Sequence, residues 1–536
     1  MTTIVLTDYY KTEHYRMYVP GTTKIYSNLT PRKSRMKGVD SIVVFGIQHF
    51  IKKYLLGKFK TEFFDKKWED VEAEYKYAIN TPTEHIKALH DLGYLPLKIK
   101  ALPEGSRCPI RVACMTITNT HPDFYWLTNY LETLISCQLW QPMTSATIAA
   151  EYWKILSKYA KETTGSTDFV QWQAHDFSMR GMSSLESAIL SGMGHLTSFT
   201  GTDTIPAIYA LRNSYNGTGL IGASVPATEH SVMCMGTKDD EVGTFSRLLD
   251  SYPTGILSVV SDTWDLWKVL TEILPALKEK ILARDGKLVI RPDSGDPVDI
   301  ICGLTNKYGK VAYTKEENNG EIIKYYYGDA AGNGWPIHQE ITEGEYKGVI
   351  ELLWDVFGGT TVKGADGNEY KVLDSHIGAI YGDSITLDRA EAICQRLKQK
   401  GFASTNIVFG VGSFTYQYNT RDTFGFAVKA TYGEVEEEFV PSPESLVRGI
   451  RTVGREIFKD PITDDGTKKS AKGLLCVKEI MTADGLGKLH HSGYQMIDQC
   501  TPEQEEEGAL LTVFLDGKLV KEYTLEEVRE NVKKGL

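Results

Sequence analysis

The chain has 536 residues, 42% of them hydrophobic and 24% charged, a globular composition with enough length for two or three folded units. Its 59 Lys and Arg against 70 Asp and Glu leave a net charge of -11, which excludes a general basic field for a nucleic-acid backbone or an anionic membrane. There is no apolar run of the roughly 18–20 residues that span a bilayer, no secretory pattern in the opening MTTIVLTDYYKTEHY, and no C-x-x-C among eight Cys, so a soluble cytoplasmic protein with reduced thiols is expected, with neither nucleic acid nor membrane as partner.

Residues 1–165 read as α+β, with helical stretches between short apolar strands such as SIVVFGIQHFI and LPLKIKAL, broken at Pro96, Pro103, Pro109 and Pro122. Residues 166–424 have another rhythm, in which a short apolar run ends in a polar or glycine-rich tip and gives way to a helical stretch. The tips are AHDFSMRG, SFTGTDT, SVPATEHS, ILSVVSDTWD, KLVIRPDSGDP, IGAIYGDS and NIVFGVGSFTY. Seven units over about 240 residues approach the size of a (βα)8 barrel, and the unbroken apolar strands suit a parallel sheet covered by helices, so the domain is barrel-like or doubly wound α/β. A polar insertion at about 305–350 reads as a surface excursion of hairpin type. Residues 425–536 read as strands with polar turns and a closing helix, TLEEVRENVKKGL, capped by Thr524.

Ligands of parallel α/β folds lie at the carboxyl ends of the strands. Those ends carry Asp176, Asp203, Glu229, His230, Asp262, Arg291, Asp293, Asp383 and Arg421. Arginines that grip phosphate, together with carboxylates that hold hydrated Mg2+, point to a phosphorylated substrate with a divalent metal. The alternative for any single strand-end Asp is a helix cap. Asp293, Asp296 and Asp299, spaced by three, look metal-like, but Pro297 interrupts the set and only Asp293 sits at the strand tip, so Asp296 and Asp299 read as solvated helix-start acids. The FGVGS segment suits an anion nest, but Thr415 replaces the third glycine of G-x-G-x-x-G, and no P-loop occurs, so a dinucleotide fold or P-loop kinase is disfavoured.

The ordered segments TDYYKTEHY, HDFSMRG, GTDT, SVPATEHS, SVVSD, IRPDSGDP, YGDS, FGVGS with TRD, and FKDP resemble the nicotinamide phosphoribosyltransferases, in particular their bacterial and viral branch. The resemblance implies a type II phosphoribosyltransferase fold: an incomplete α/β barrel with a second α+β domain built from both chain ends. It also implies a homodimer with shared active sites. The implied reaction joins nicotinamide to 5-phosphoribosyl 1-pyrophosphate with Mg2+, giving nicotinamide mononucleotide and pyrophosphate. ATP would stimulate it through a phosphohistidine at His230, which follows Glu229.

By the same resemblance Phe177 stacks on the pyridine ring, Tyr10 of a partner subunit closes its other face, and Asp203 accepts from the carboxamide. Arg291 and Asp293 contact base and ribose, and Asp262 with Asp293 orients Mg2+ through water. Arg180 and Arg291 face pyrophosphate, whereas Gly382, Asp383, Gly412, Ser413 and Arg421 bind ribose and 5'-phosphate. Arg32, Lys429, Lys459 and Lys468 supply positive charge to polyphosphate. Ser413 stands where the family has glycine. The alternatives are a nicotinate phosphoribosyltransferase, which a carboxylate at Asp203 disfavours, and a catalytically silent homologue.

Overall fold

Ile377–Tyr381 is buried at every position and Ile407–Val411 at all but one, so neither strand alternates between core and solvent. In the computed structural model both lie at the centre of a six-stranded parallel sheet. Its order is Gly201–Thr202, Ala174–Asp176, Ile407–Val411, Ile377–Tyr381, Asp285–Arg291, Thr254–Val260. The structure describes residues 1–304, 310–317, 320, 322–329, 339–382, 384–439, 448–463, 471–483 and 489–536.

The outer strands of this sheet are joined through the extended segment 223–227, where Ala223 bridges to Gly201 and Ala227 to Ser258. That segment occupies the remaining position of the ring without being a regular strand, so the α/β barrel is incomplete there. Because the strands are parallel, the seven polar tips read from the sequence fall at one end of the barrel. Thr254–Val260 and Asp285–Arg291 alternate across the wall. Leu257, Val259, Leu288 and Ile290 pack into the core on the helical side, whereas Ile256, Ser258, Lys287 and Val289 line an interior cavity of about 620 Å3. The interior is therefore open where side chains commonly fill such barrels.

The second domain is built on a seven-stranded sheet that draws on both chain ends, in the order Gly449–Glu456, Ala427–Phe439, Thr22–Thr30, Met115–Asn119, Leu97–Ala101, Leu511–Leu515, Lys518–Leu519. Its neighbours pair antiparallel throughout. Lys100 is buried in this sheet, its Nζ 3.0 Å from Glu505 Oε2 and 2.8 Å from the Glu505 carbonyl, which ties the C-terminal segment to the N-terminal strands.

One 33-residue helix, Glu132–Thr164, serves both units. Its first half buries Leu134, Ile135, Leu139 and Met143 in the core of the second domain, and its second half buries Ile148, Ala149, Tyr152 and Leu156 in the barrel core. Helix Leu185–His195 crosses it closely: a Cβ added to Gly194 would lie 2.8 Å from the backbone nitrogen of Ala146.

SIVVFGIQHFI, expected as one strand, divides in two. Ser41–Val43 is a strand, Gly46 turns the chain at φ 93°, and a helix begins at Ile47. The buried Glu104 carboxylate accepts from the N–H groups of Gly46 and Gln48 at 2.9 and 2.6 Å, which gives the new helix its start. Within the insertion Lys310–Glu317, Ile322–Asp329 and Gln339–Ile341 form an antiparallel sheet, in keeping with the expected hairpin. Thr524 and Glu527 close a capping box at the final helix. No helix among the described residues is long and apolar enough to cross a membrane.

Candidate active site

The strand Ala174–Asp176 ends at a buried carboxylate. Asp176 Oδ1 accepts from Ser178 N and Oγ at 3.0 and 2.6 Å, and Oδ2 accepts from the hydroxyls of Thr202 and Thr204 at 3.1 and 2.7 Å. With both oxygens satisfied by neutral donors, Asp176 is a fastener between HDFSMRG and GTDT and not part of the open rim. It fixes Phe177 and Asp203 on adjacent tips, where they share a pocket with Met179, Arg180, Met182 and Leu185.

Asp203 Oδ1 accepts from His175 Nε2 at 2.9 Å and from the Ser224 hydroxyl. Burial pushes the Asp203 carboxyl up, but these bonds outweigh it and hold the group below the usual carboxylate range, so it is an anion at neutral pH. Sequence reasoning passed over His175 and Ser224. The signal for His175 was available, because residues two apart on a strand share a face and His175 stands two before Phe177; their rings lie 4.5 Å apart. Ser224 belongs to the irregular segment that closes the barrel, which no strand pattern reveals.

Across the rim, Asp262, Arg291, Asp293 and His230 come together. Asp262 Oδ2 accepts from Asp293 N, Ser294 N and Ser294 Oγ at 2.8, 2.8 and 2.6 Å. Its Oδ1 is buried and accepts from no described donor. Arg291 donates from Nη2 to the Thr228 carbonyl at 2.9 Å and holds Nε 3.3 Å from Asp293 Oδ1. His230 Nδ1 lies 3.0 Å from Thr263 Oγ1, and its Nε2 lies 3.9 Å from Asp293 Oδ2. Glu229 is exposed and accepts from Ser231. Asp296 caps the helix Pro297–Cys302 as a helix-start acid, whereas Asp299 is not solvated: it pairs with Arg396 at 2.8 Å with its side chain 18% exposed.

Gly382 leaves room for this cluster, since a Cβ there would lie 2.1 Å from Asp293 Oδ1. Asp383 lies outside the described residues. Gly412 precedes the short helix Ser413–Gln417. The Ser413 side chain fits against Gly181, where a Cβ would lie 2.0 Å from its hydroxyl oxygen, so the serine in place of the family glycine is matched by a glycine opposite. Arg180 and Arg421 are exposed.

The remaining predicted residues that the structure describes lie on the second domain. Tyr10 is exposed, with its ring 5.1 Å from those of His14 and, as a cation–π contact, from Lys11 Nζ. Lys429 Nζ lies 3.7 Å from Glu132 Oε1, and Lys11 pairs with the other oxygen of the same carboxylate. Burial lowers the Lys429 ammonium, Glu132 opposes that, and Arg32, Lys11 and Lys459 add to it, so these cations form one neighbourhood. Lys11 and Glu132 were not foreseen there. Lys468 lies outside the described residues.

The sequence model of the nicotinate phosphoribosyltransferase (NAPRTase) family matches residues 172–491, and that of the nicotinamide phosphoribosyltransferase N-terminal domain matches residues 2–99. The chain is 47% identical to a nicotinamide phosphoribosyltransferase of Acinetobacter baylyi, over 99% of this chain and 96% of the relative. It is 35% identical to one of Mycoplasma pneumoniae, over 87% of this chain and 93% of the relative. A crystal structure of nicotinate-nucleotide pyrophosphorylase from Pyrococcus furiosus superposes with a TM-score of 0.51 at 14% identity, covering 99% of this chain and 96% of that one, a likeness of fold alone.

Proposed function

This chain belongs to the nicotinate phosphoribosyltransferase family, and we propose that within it the chain transfers the 5-phosphoribosyl group of 5-phosphoribosyl 1-pyrophosphate to nicotinamide, giving nicotinamide mononucleotide and pyrophosphate. The observation that carries the choice of base is the anionic Asp203 beside Phe177. A carboxylate there accepts from a carboxamide NH2 and repels the carboxylate of nicotinate.

The chemistry follows from placement. Phe177 offers a face for the pyridine ring, and Asp203 holds the amide so that the ring nitrogen points at the anomeric carbon. That nitrogen attacks as the bond from the carbon to the pyrophosphate oxygen breaks, and the positive charge developing on the sugar is offset by Asp293. Arg180 and Arg291 receive the departing pyrophosphate. Gly382, Gly412, Ser413 and Arg421 take the ribose and 5'-phosphate, and Asp383 belongs with them by its place in YGDS.

Asp262 and Asp293 fit a hydrated Mg2+, supported by the buried Asp262 Oδ1 with no described donor. When bound, the ion supplies charge neutralisation to the leaving group. ATP is a coupled substrate. Its polyphosphate suits the cations Arg32, Lys429 and Lys459, with Lys468 added by sequence position, and its γ-phosphoryl passes to His230 Nε2 as ADP leaves, Nδ1 being engaged by Thr263. Glu229 sits beside this histidine at the tip. The assembly is a homodimer in which Tyr10 of a second copy closes the base site; its exposure, with no core packing of its ring, supports this. Eight unpaired cysteines support a reducing cytoplasm.

The test is product analysis by liquid chromatography with phosphoribosyl pyrophosphate, Mg2+ and either nicotinamide or nicotinate, with and without ATP. Mononucleotide from nicotinamide, in greater yield with ATP, is expected. Product mainly from nicotinate would overturn the base assignment, and no product from either would favour a silent homologue.

A further inference from the structure

Asp203 can read an amide only if one oxygen stays open and the carboxylate stays put. A short Asp at a strand tip that is half exposed has rotamers to choose from, and nothing in GTDT itself selects one. The selection comes from the two neighbours of Gly201–Thr202, the strand Ala174–Asp176 on one side and the closing segment 223–227 on the other. His175 Nε2 and the Ser224 hydroxyl converge on the same oxygen, Oδ1, and no described residue donates to Oδ2. One oxygen is thereby fixed and the other is left to accept from a ligand.

The imidazole is itself held on three sides. Phe177 stands 4.5 Å away, the Ser224 hydroxyl lies 3.4 Å from Nε2, and Gly201 passes so near that a Cβ on it would lie 2.7 Å from Nδ1. Gly201 is the partner of His175 in the parallel register, so the room for the ring is made by the strand that also carries Asp203. His175 touches no place where bond breaking occurs; its contacts are with the two groups that hold the base.

We propose that His175 is the positioning residue for base specificity: its Nε2–H fixes Asp203 Oδ1, leaving Oδ2 to discriminate a carboxamide from a carboxylate, and Gly201 is glycine so that the imidazole can lie there. This rests on Asp203 being the amide acceptor. It predicts that two substitutions on different strands, one removing the donor and one displacing it, share a phenotype.

The experiment measures steady-state kinetics with nicotinamide and with nicotinate for His175→Ala, His175→Gln, Gly201→Ala and Asp203→Ala, alongside thermal melting. For His175→Ala and Gly201→Ala, KM for nicotinamide should rise about tenfold or more while KM for phosphoribosyl pyrophosphate stays within twofold. The ratio of kcat/KM for nicotinamide to that for nicotinate should fall with it. Gln, whose amide nitrogen reaches the place of Nε2, should restore most of the ratio. If Asp203→Ala collapses the ratio but His175→Ala does not, or if Gln is no better than Ala, the positioning role is wrong while the base assignment stands. If Asp203→Ala leaves the ratio unchanged, both fall. Should His175→Ala melt too early to assay, the Gln and Gly201 variants decide.

Discussion

Gly382 shows how much of this site depends on what is left out. The Asp293 carboxylate occupies the space where any larger residue would place its Cβ, 2.1 Å from Oδ1, and Arg291 Cδ would lie 3.2 Å away. Gly382→Ala must therefore displace Asp293 from Arg291, losing kcat/KM for phosphoribosyl pyrophosphate by about 100-fold or more, since misplacement near 1 Å carries such a cost. Steady-state kinetics would check this, with a melting temperature close to wild type separating a local from a global effect. Part of the charged rim was legible in the sequence, because Asp262, Arg291 and Asp293 follow the apolar runs ILSVV and KLVI, whereas Asp203 and His230 follow polar tips. The buried fastener Asp176 was read as one of them, because a tip residue turned inward to hydroxyls has the same place in the sequence as one turned to solvent.

At the scale of elements, the central barrel units were visible because Ile377–Tyr381 and Ile407–Val411, buried on both faces, leave uninterrupted apolar runs. The closing segment 223–227 was not, since single bridges impose no periodicity. Nor was the division of residues 41–50, which depends on Glu104 arriving from elsewhere in the chain to accept the free N–H groups of a helix start. Helix crossings are set by similarly distant pairs. Gly194 lets Leu185–His195 approach Glu132–Thr164 to within contact of its backbone, and a methyl group there would meet Ala146 N, Ser145 Cβ and Pro142 O, all within 2.9 Å. Gly194→Ala should lower unfolding free energy by about 1–3 kcal/mol through overpacking, despite the better helix propensity of alanine. Urea denaturation followed by circular dichroism measures it.

At the scale of the molecule, the second domain exists only because the two chain ends meet. Lys100 and Glu505 are its buried electrostatic joint, with side chains 4% and 9% exposed. Lys100→Met leaves the Glu505 carboxylate buried without its ammonium and should cost about 3–5 kcal/mol, whereas Lys100→Met combined with Glu505→Leu should recover most of the loss. Equilibrium unfolding of the wild type, Lys100→Met, Glu505→Leu and the double variant forms the cycle that checks this. A cost of the double substitution equal to the single one would mean that the pair itself, and not the stranded charge, sustains the joint.

Glu132–Thr164 has a consequence for how the chain comes apart. The same rod anchors both hydrophobic cores, so loosening either one removes the support that keeps half of the helix wound. The amides between Met143 and Ile148, where one core hands over to the other, would then exchange with solvent only in events that open both. No cut in the chain frees the barrel without severing that rod or carrying along half a helix stripped of its core. Two domains by architecture are thus one cooperative unit of opening.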